Sequence, residues 1–213
     1  MVIGYVTIGR DGDAEIEVKR SRFRATLQRV ASEAEARAVV ERLRREHWDA
    51  RHHCSAMRIG PGPQPVERSN DDGEPAGTAG APMLEVLRGH DGVGVSDVVA
   101  VVTRWFGGTL LGAGGLVRAY SDAVRAALVE VGTLRRELVR EFTVEVEHDA
   151  AGRLETDLRS AGVAVLDVAY GAGVTMRLGA DPDEEQRLAG LLAGLTGGAA
   201  LLTPVGERWV DRR

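Results

Sequence analysis

The stretch Val98–Tyr120 reads VVAVVTRWFGGTLLGAGGLVRAY and joins a strand, a glycine-rich loop and a helix. Its first five residues form a continuous apolar run, as expected of a strand that is buried on both faces. Five glycines then fall within the nine positions Gly107–Gly115. Because glycine fills no core, such a cluster indicates special backbone angles or a close approach of the backbone. Helical spacing of apolar residues after the loop predicts a buried helical face made by Leu116, Val117, Tyr120, Val124, Ala127, Leu128 and Val131.

The glycine loop lies between a buried strand and a helix, where α/β proteins commonly bind anions through free N–H groups and the helix dipole. It is not a Walker loop, because Ala113 and Gly114 stand where lysine and serine or threonine are needed. It is not a dinucleotide fingerprint either, because Val117 occupies the place of the third glycine. A tight strand-to-helix connection explains two glycines more easily than five. We therefore interpret the loop as a binding surface lined by backbone, with no nucleotide assigned.

A second block, Ser69–Pro82, reads SNDDGEPAGTAGAP and places Asp71, Asp72 and Glu74 close together. Carboxylates of this kind could bind a divalent cation or take part in acid–base catalysis. Their spacing lacks the alternation of a calcium loop, so an acidic loop paired with Arg68 or Arg104 is the favoured interpretation. The wider segment Gly60–Gly80 shows no periodicity and is predicted to be a long loop, either functional or disordered.

Alternating and apolar segments predict further strands at Val2–Ile8, Ala14–Lys19, Arg22–Val30 and His53–Ile59. Between the last two, Ser32 and Glu35 have the spacing of a capping box, which predicts a helix from that point. A short helix is predicted at Pro82–Leu87.

The remainder of the chain has the predicted order β-α-β-β-α-β, which is the ferredoxin-like arrangement. Its last helix is predicted to start at Asp181-Pro182, with a capping residue and a first-turn proline. Its last strand is predicted at Ala199–Trp209. A glycine and a charged stretch from Gly132 to Glu137 mark a boundary, so we predict two domains, 1–133 and 134–213. The predicted fold class is α+β.

Composition limits the function. The 213 residues are 44% hydrophobic and 28% charged, which is ordinary for a folded protein, and the single cysteine excludes an internal disulfide. We expect a cytoplasmic protein. The net charge of −5 argues against strong non-specific binding of nucleic acid. However, eleven Lys or Arg against five Asp or Glu between Val18 and Arg58 give a local excess of six positive charges. This excess fits a solvated helix with its neighbouring strands, or a contact surface for phosphate or an acidic partner.

Cys54 follows two histidines, which raises the question of a thiol nucleophile. Successive residues of a strand point to opposite faces, so His52 and Cys54 share a face, whereas His53 and Cys54 do not. A lone cysteine in a strand is more often a small buried residue than a nucleophile. We therefore do not predict thiol catalysis.

The two blocks, together with Ser21-Arg22-Phe23 and His52-His53-Cys54-Ser55-Ala56, closely resemble the YigZ/IMPACT family over about Arg20 to Gly132. The resemblance implies an N-terminal domain of the ribosomal-protein type, like domain four of elongation factor G. It also implies a ferredoxin-like C-terminal domain, like domain five of that factor. Eukaryotic relatives bind an activator of the amino-acid-starvation kinase and so regulate translation initiation. For bacterial members, nucleic-acid or ribosome association is the usual proposal.

The resemblance also implies a binding surface on the two blocks and their neighbours. Leu110 stands where the family commonly has lysine, so this chain lacks a side chain with which relatives could bind phosphate. The predicted surface residues are Arg22, His52, Asp71, Asp72, Glu74, Thr78, Arg104, Gly107, Gly108, Gly112, Gly114, Gly115 and Arg118.

Two functions follow from these observations. The first is a non-enzymatic regulator, related to translation or stress, that binds RNA, the ribosome or a translation-associated protein through the Ser69–Tyr120 surface. The alternative is an enzyme acting on a phosphorylated or peptide-like small molecule, with a polar centre of Asp71, Asp72, Glu74 and Arg104. We expect no cofactor, no metal and no membrane association. We favour the first, because no standard catalytic motif is present.

Overall fold

The computed structural model describes residues 4–181 and 183–212. The chain divides into two compact units, of which the first extends to Arg136 and the second covers Glu137–Asp211. Within the described residues, no helix has the length and apolar character needed to cross a membrane.

The first unit is built on an antiparallel sheet with the strand order β2-β3-β6-β4-β5. Strands β3 and β4 both pair with β6, so β3, α1 and β4 form a split β-α-β unit. The elements of this unit are β1 (Gly4–Ile8), β2 (Gly12–Val18), β3 (Ser21–Arg29), α1 (Glu33–Glu46), β4 (His52–Ile59), β5 (Val66–Asn70), α2 (Gly80–Gly89), β6 (Val98–Trp105) and α3 (Ala113–Val131).

Helices cover both faces of this sheet. Helix α1 packs Val39 and Leu43 on the face that carries Val99 and Val101. Helices α2 and α3 cover the opposite face, where the core contains Phe23, Leu27, Val98, Val102, Met83, Leu87, Tyr120, Val124 and Leu128. Val117, predicted on the buried face of α3, is exposed instead, because the residue after Leu116 is turned by about 100° around the helix. Strand β6 therefore has core on both sides, which confirms the prediction from its apolar run.

The predicted capping box at the start of α1 is present with one change. Ser32 Oγ accepts a hydrogen bond from the Glu35 N–H at 3.2 Å, as expected. The Glu35 carboxylate accepts a hydrogen bond from the N–H of Ala31 at 2.9 Å, whereas in a usual capping box the donor is the N–H of the capping residue, here Ser32. Both bonds provide partners for backbone groups at the start of the helix.

The prediction of a structureless loop over Gly60–Gly80 was wrong. Residues Val66–Asn70 form β5, which pairs with Ser55–Ile59 of β4 in antiparallel register. An edge strand needs only a partner for its backbone, and most of this one is exposed, so its sequence carries no apolar alternation. The first predicted strand began at Val2, which lies outside the described residues, and β1 is described from Gly4.

The second unit has four strands in the order β10-β7-β9-β8, with β9 antiparallel to both of its neighbours. Numbered within the unit, the order is 4-1-3-2, which together with two helices is the ferredoxin-like arrangement. The α+β fold class is therefore confirmed. The elements are α4 (His148–Ser160), β8 (Ala164–Tyr170), β9 (Val174–Ala180), α5 (Glu185–Thr196), and two strands that cross the bounds of the unit, β7 (Thr133–Val146) by four residues and β10 (Thr203–Arg212) by one.

Two element boundaries in the second unit differ from the predictions. The last helix begins at Glu185, because Glu184 N–H bonds to the Asp181 carbonyl in a turn that precedes it. Pro182, predicted at the first helical turn, lies outside the described residues. The last strand begins at Thr203, four residues later than predicted.

Candidate functional site

A buried ion pair joins Glu74 to Arg104 at the end of β6. Glu74 belongs to the block Ser69–Pro82, which we call the acidic block. Arg104 donates from Nη1 to Glu74 Oε1, and both side chains are less than one-tenth exposed. The Tyr120 hydroxyl of α3 donates to the same carboxylate oxygen at 2.8 Å. Charges removed from water require partners, and here the Glu74 carboxylate accepts hydrogen bonds from both Arg104 and Tyr120. The favoured interpretation of the acidic block, pairing with Arg104, therefore holds for Glu74.

Strand register places these side chains on one face of the sheet. His52 is opposite Arg104 in the β4–β6 pairing, and Phe23 is opposite Arg104 in the β3–β6 pairing. Residues paired directly across strands share a face. The Arg104 guanidinium lies 5.2 Å from the ring centroid of Phe23 and 5.8 Å from that of Phe106. Both aromatic rings favour the charged guanidinium at this buried position.

His52 faces the same carboxylate. Its Nε2 lies 3.9 Å from Glu74 Oε1, and its Nδ1 lies 2.8 Å from the carbonyl oxygen of Asp72. The backbone of the acidic block therefore fixes the imidazole, whose other nitrogen points toward the ion pair.

Cys54 lies deeper on this face, as predicted from the strand alternation. Its Sγ is 2.9 Å from the Asp71 carbonyl oxygen and 3.3 Å from the Tyr120 hydroxyl oxygen. Burial raises the pKa of the Cys54 thiol to about 12, and burial also raises the pKa of Tyr120. A thiol kept neutral in this way is a poor nucleophile. We call His52, Cys54, Glu74, Arg104 and Tyr120 the Glu74 cluster.

The other two carboxylates of the acidic block point elsewhere. Asp71 accepts hydrogen bonds from the N–H groups of Gly77, Ala79 and Gly80, at the start of α2. Partial burial opposes ionisation of Asp71, but the hydrogen bonds from these backbone N–H groups outweigh burial and lower the pKa of Asp71. Asp71 thus caps the helix.

Asp72 connects the acidic block to helix α1, which covers the opposite face of the sheet. Its carboxylate accepts hydrogen bonds from the Arg44 guanidinium of α1 at 2.5 Å and from the His53 N–H at 2.6 Å. The three carboxylates therefore do not converge. In the described part of the chain, no group of three or more His, Cys, Asp or Glu side chains has a geometry that could bind a metal ion.

Thr78 and Gly107 are also used within the fold. Thr78 Oγ1 donates to the Pro75 carbonyl at 2.7 Å, which closes the turn of the acidic block. At Gly107, a Cβ atom would lie 2.0 Å from the carbonyl carbon of Arg20. Only glycine fits there, because the Lys19-Arg20 hairpin turn packs directly on the loop backbone. Both residues of that turn have positive φ, at 48° and 67°.

The two blocks converge on one cavity, which we call the Phe106 cavity. Its volume is about 400 Å³. The acidic block supplies Glu74 and Pro75, and the glycine loop supplies Phe106 and residues 110–113. The complete lining is Arg51, His52, Glu74, Pro75, Arg104, Phe106, Leu110, Leu111, Gly112, Ala113 and Leu116.

Four of the predicted surface residues line this cavity, namely His52, Glu74, Arg104 and Gly112. Among the others, Arg22 lies 4.6 Å above the ring of Trp105, and Gly115 packs against Leu111. The predicted residues that do not line it are Arg22, Asp71, Asp72, Thr78, Gly107, Gly108, Gly114, Gly115 and Arg118.

Sequence reasoning missed several contributors to the site. Arg51 directly precedes the histidines, and Phe106 directly precedes the double glycine, so adjacency to the motifs was an available signal for both. Tyr120 was predicted as a buried helical residue, but its hydroxyl partner is 46 positions away in the chain. No local sequence pattern predicts a contact between residues so far apart in the chain.

Exposed apolar and cationic side chains lie at the Phe106 cavity and on α3, the helix that begins at it. Leu110 is 83% exposed and Phe106 is 46% exposed. Arg51 and, on α3, Arg118 are exposed and make no ion pair with the described residues. The positive excess of the 18–58 segment is elsewhere reduced by pairing, as in Arg42 with Glu46. We call Arg51, Phe106, Leu110 and Arg118 the rim.

Comparison with known proteins gives the family. The Impact N-terminal domain model matches residues 19–128, and a model described as Domain of unknown function (DUF1949) matches residues 144–199. IMPACT family member YvyE of Bacillus subtilis is 37% identical over 198 residues, covering 93% of this chain and 89% of that protein. IMPACT family member YigZ of Escherichia coli is 38% identical over 192 residues, covering 90% and 93%. A crystal structure of a hypothetical protein superposes with a TM-score of 0.63 at 35% identity, covering 96% and 98%. This chain therefore belongs to the IMPACT family.

Proposed function

We propose that the protein is a non-enzymatic regulator, related to translation or stress, that binds single-stranded RNA through the Ser69–Tyr120 surface. Ribosomal RNA is one such target. Membership of the IMPACT family supports a regulatory role, given the translational role of the eukaryotic relatives that the sequence resembles. The chemistry of the rim supports RNA as the partner.

The observation that carries this proposal is the rim itself. Phe106 presents an exposed aromatic ring, and Arg51 and Arg118 present guanidinium groups without a carboxylate partner among the described residues. Proteins that bind single strands combine basic groups, which follow the phosphates, with aromatic rings, on which bases stack. Leu110 adds apolar surface where relatives commonly carry lysine. We therefore expect contacts with the bases to contribute more to RNA binding here, and contacts with the phosphates to contribute less.

The hairpin beside the glycine loop adds to this surface. Lys19, like the two rim arginines, is exposed and has no ion pair within the described chain. Its neighbour Arg20 donates to Thr109 Oγ1 of the loop at 3.2 Å, which holds the turn in place. Local positive charge of this kind permits RNA binding in a protein of net charge −5.

The enzyme alternative has less support. It needs Asp71, Asp72, Glu74 and Arg104 as one polar centre, yet Asp71 caps α2 and Asp72 pairs with Arg44. Glu74 already accepts from two donors in the Glu74 cluster.

Fluorescence anisotropy with labelled single-stranded RNA tests the proposal. We expect the wild-type protein to bind, and Phe106→Ala to weaken binding by about 5- to 150-fold, the usual range for removal of one stacking ring. Val129→Ala is the control, since Val129 is an exposed apolar side chain at the far end of α3. Absence of RNA binding at low salt, or equal weakening by both variants, would overturn the proposal. Binding to ribosomal proteins without RNA would instead favour a protein partner.

A further inference from the structure

The Phe106 cavity contains a guanidinium that the fold uses only in part. Arg104 is 6% exposed and gives Nη1 to Glu74. Its Nε is buried and has no hydrogen-bond partner within the described residues. Buried donors are nearly always satisfied in folded proteins, so the guanidinium that lines this cavity keeps hydrogen-bonding capacity that the described residues do not use.

The same cavity includes the start of α3, a helix of 19 residues. Gly112 precedes the helix with φ of 72° and supplies no side-chain cap. The first helical bond runs from Leu116 N–H to the Gly112 carbonyl. The N–H groups of Ala113, Gly114 and Gly115 therefore have no acceptor within the helix, and they lie at its positive end.

The charges at the cavity favour an anion. Glu74 neutralises Arg104, so this pair contributes little net charge. Arg51 also lines the cavity and has no carboxylate partner in the described chain, which leaves one uncompensated positive charge besides the helix dipole. A phosphate monoester, with several acceptor oxygens, suits a guanidinium and a row of backbone amides.

The remaining walls are apolar. Pro75, Leu111 and Leu116 line the cavity, and the ring of Phe106 stands at its mouth. A volume of about 400 Å³ lies within the usual range of small-molecule sites. A flat heterocycle fits such walls and stacks on the phenyl ring.

We infer that the Phe106 cavity binds one nucleoside 5′-monophosphate, with the phosphate at Arg51 and the start of α3 and the base against Phe106. The inference deepens the proposed RNA binding and rests on the same surface. Two sources share this chemistry: a free mononucleotide and the 5′-terminal nucleotide of an RNA.

Isothermal titration with the full chain tests the site directly. The probes are adenosine and uridine 5′-monophosphates, the two nucleosides, and inorganic phosphate. We expect the monophosphates to bind at least tenfold more tightly than either the nucleosides or phosphate, because both halves of the ligand make contacts. Equal affinity of inorganic phosphate and the nucleotides, or no nucleotide binding, would overturn the inference.

Two variants locate the binding. Arg51→Gln is expected to weaken nucleotide binding about tenfold or more, as for loss of a charge-assisted hydrogen bond. Ala113→Leu fills the cavity at an exposed helix position without removing any charge, so it is expected to abolish binding while the circular dichroism spectrum is unchanged. Arg37→Gln, at an exposed arginine of α1 outside the Phe106 cavity, is the matched control and should bind as the wild type does. Wild-type affinity in Ala113→Leu would overturn the inference.

Paired RNA oligonucleotides distinguish the sources. Tighter binding of a 5′-phosphorylated octamer than of its 5′-hydroxyl counterpart, abolished in Ala113→Leu, supports the inference with the RNA end as ligand. Nucleotide binding without such a preference supports it with a free nucleotide as ligand. RNA binding with neither effect overturns the inference and leaves the proposed function intact.

Discussion

The Glu74 carboxylate and the Arg104 guanidinium form a buried ion pair that fastens the acidic block to the strand leading into the glycine loop. Removing one partner of such a pair leaves an uncompensated buried charge. The two blocks are therefore coupled through this ion pair, and breaking it should affect the stability of the first unit as well as the shape of the Phe106 cavity.

Glu74→Gln should lower the free energy of unfolding by about 3–5 kcal/mol, because Arg104 then remains charged and buried without a counter-charge. Urea denaturation at pH 7 measures the change. Glu85→Gln is the control, since Glu85 pairs with Arg88 at an exposed position and should change stability by less than about 1 kcal/mol. Equal effects of the two variants would contradict the account of the ion pair.

Cys54 should make stability fall at high pH. The pKa of its thiol is raised by burial from 9.0 to about 12, so above pH 9 the unfolded chain loses a proton that the folded chain keeps. Unfolding is then favoured by about 1.4 kcal/mol per pH unit until the folded pKa is reached. Between pH 8 and pH 10.5 the wild-type protein should lose about 2 kcal/mol more than Cys54→Ala in urea denaturation. Parallel curves for the two proteins would show that the thiol is not protected.

Asp71 should stabilise the fold only when it is ionised. Its pKa is lowered in the folded state because amide hydrogen bonds outweigh the opposing effect of burial. The contribution is therefore present above the unfolded pKa and disappears as the pH falls through the folded pKa. Asp71→Asn should cost about 1 kcal/mol at pH 7, as for loss of a helix cap, and the difference should shrink toward pH 2.

Asp122→Asn is the control for that measurement, because Asp122 is an exposed residue that pairs with Arg125, three positions along the same helix. Its effect should stay within a few tenths of a kcal/mol at both pH values. A cost for Asp71→Asn that is independent of pH would point to packing rather than charge.

Two glycines of the loop should respond oppositely to alanine. At Gly107 a Cβ would overlap the backbone of Arg20, so Gly107→Ala should destabilise the protein by more than about 2 kcal/mol. At Gly114 a Cβ would enter open space, and φ is not positive, so Gly114→Ala should stabilise by about 0.5–1 kcal/mol. Thermal unfolding of both variants checks the pair, and equal signs would contradict the described packing of the loop.

Sequence patterns predicted the elements whose signals are local. The capping residues Ser32 and Glu35, the apolar run of β6 and the helical face of α3 all depend on spacings within one element. The edge strand β5 escaped prediction because its residues VERSN pair through backbone with Ser55–Ile59, and nothing in their own order signals that partner.

The candidate site was predictable in composition but not in arrangement. Glu74, His52, Arg104 and Gly112 were recognised from motifs, yet those motifs also contain Asp71 and Asp72, which serve the fold. Three neighbouring carboxylates look alike in sequence. The turn after β5 separates them, so that Asp71 contacts the start of α2, Asp72 contacts Arg44 of α1, and Glu74 contacts Arg104.

The salt dependence of RNA binding tests the central claim most directly. Removing one cationic side chain that binds a phosphate should reduce the slope of log K against log salt concentration by about 0.7–1. The Arg51→Ala/Arg118→Ala double variant should therefore bind single-stranded RNA more weakly, with a slope smaller by about 1.4–2 than that of the wild type. The Arg37→Ala/Arg45→Ala double variant, which removes two exposed arginines of α1 without ion pairs in the described chain, should keep the wild-type slope. Identical slopes for the two double variants would contradict the assignment of the rim as the RNA-binding surface.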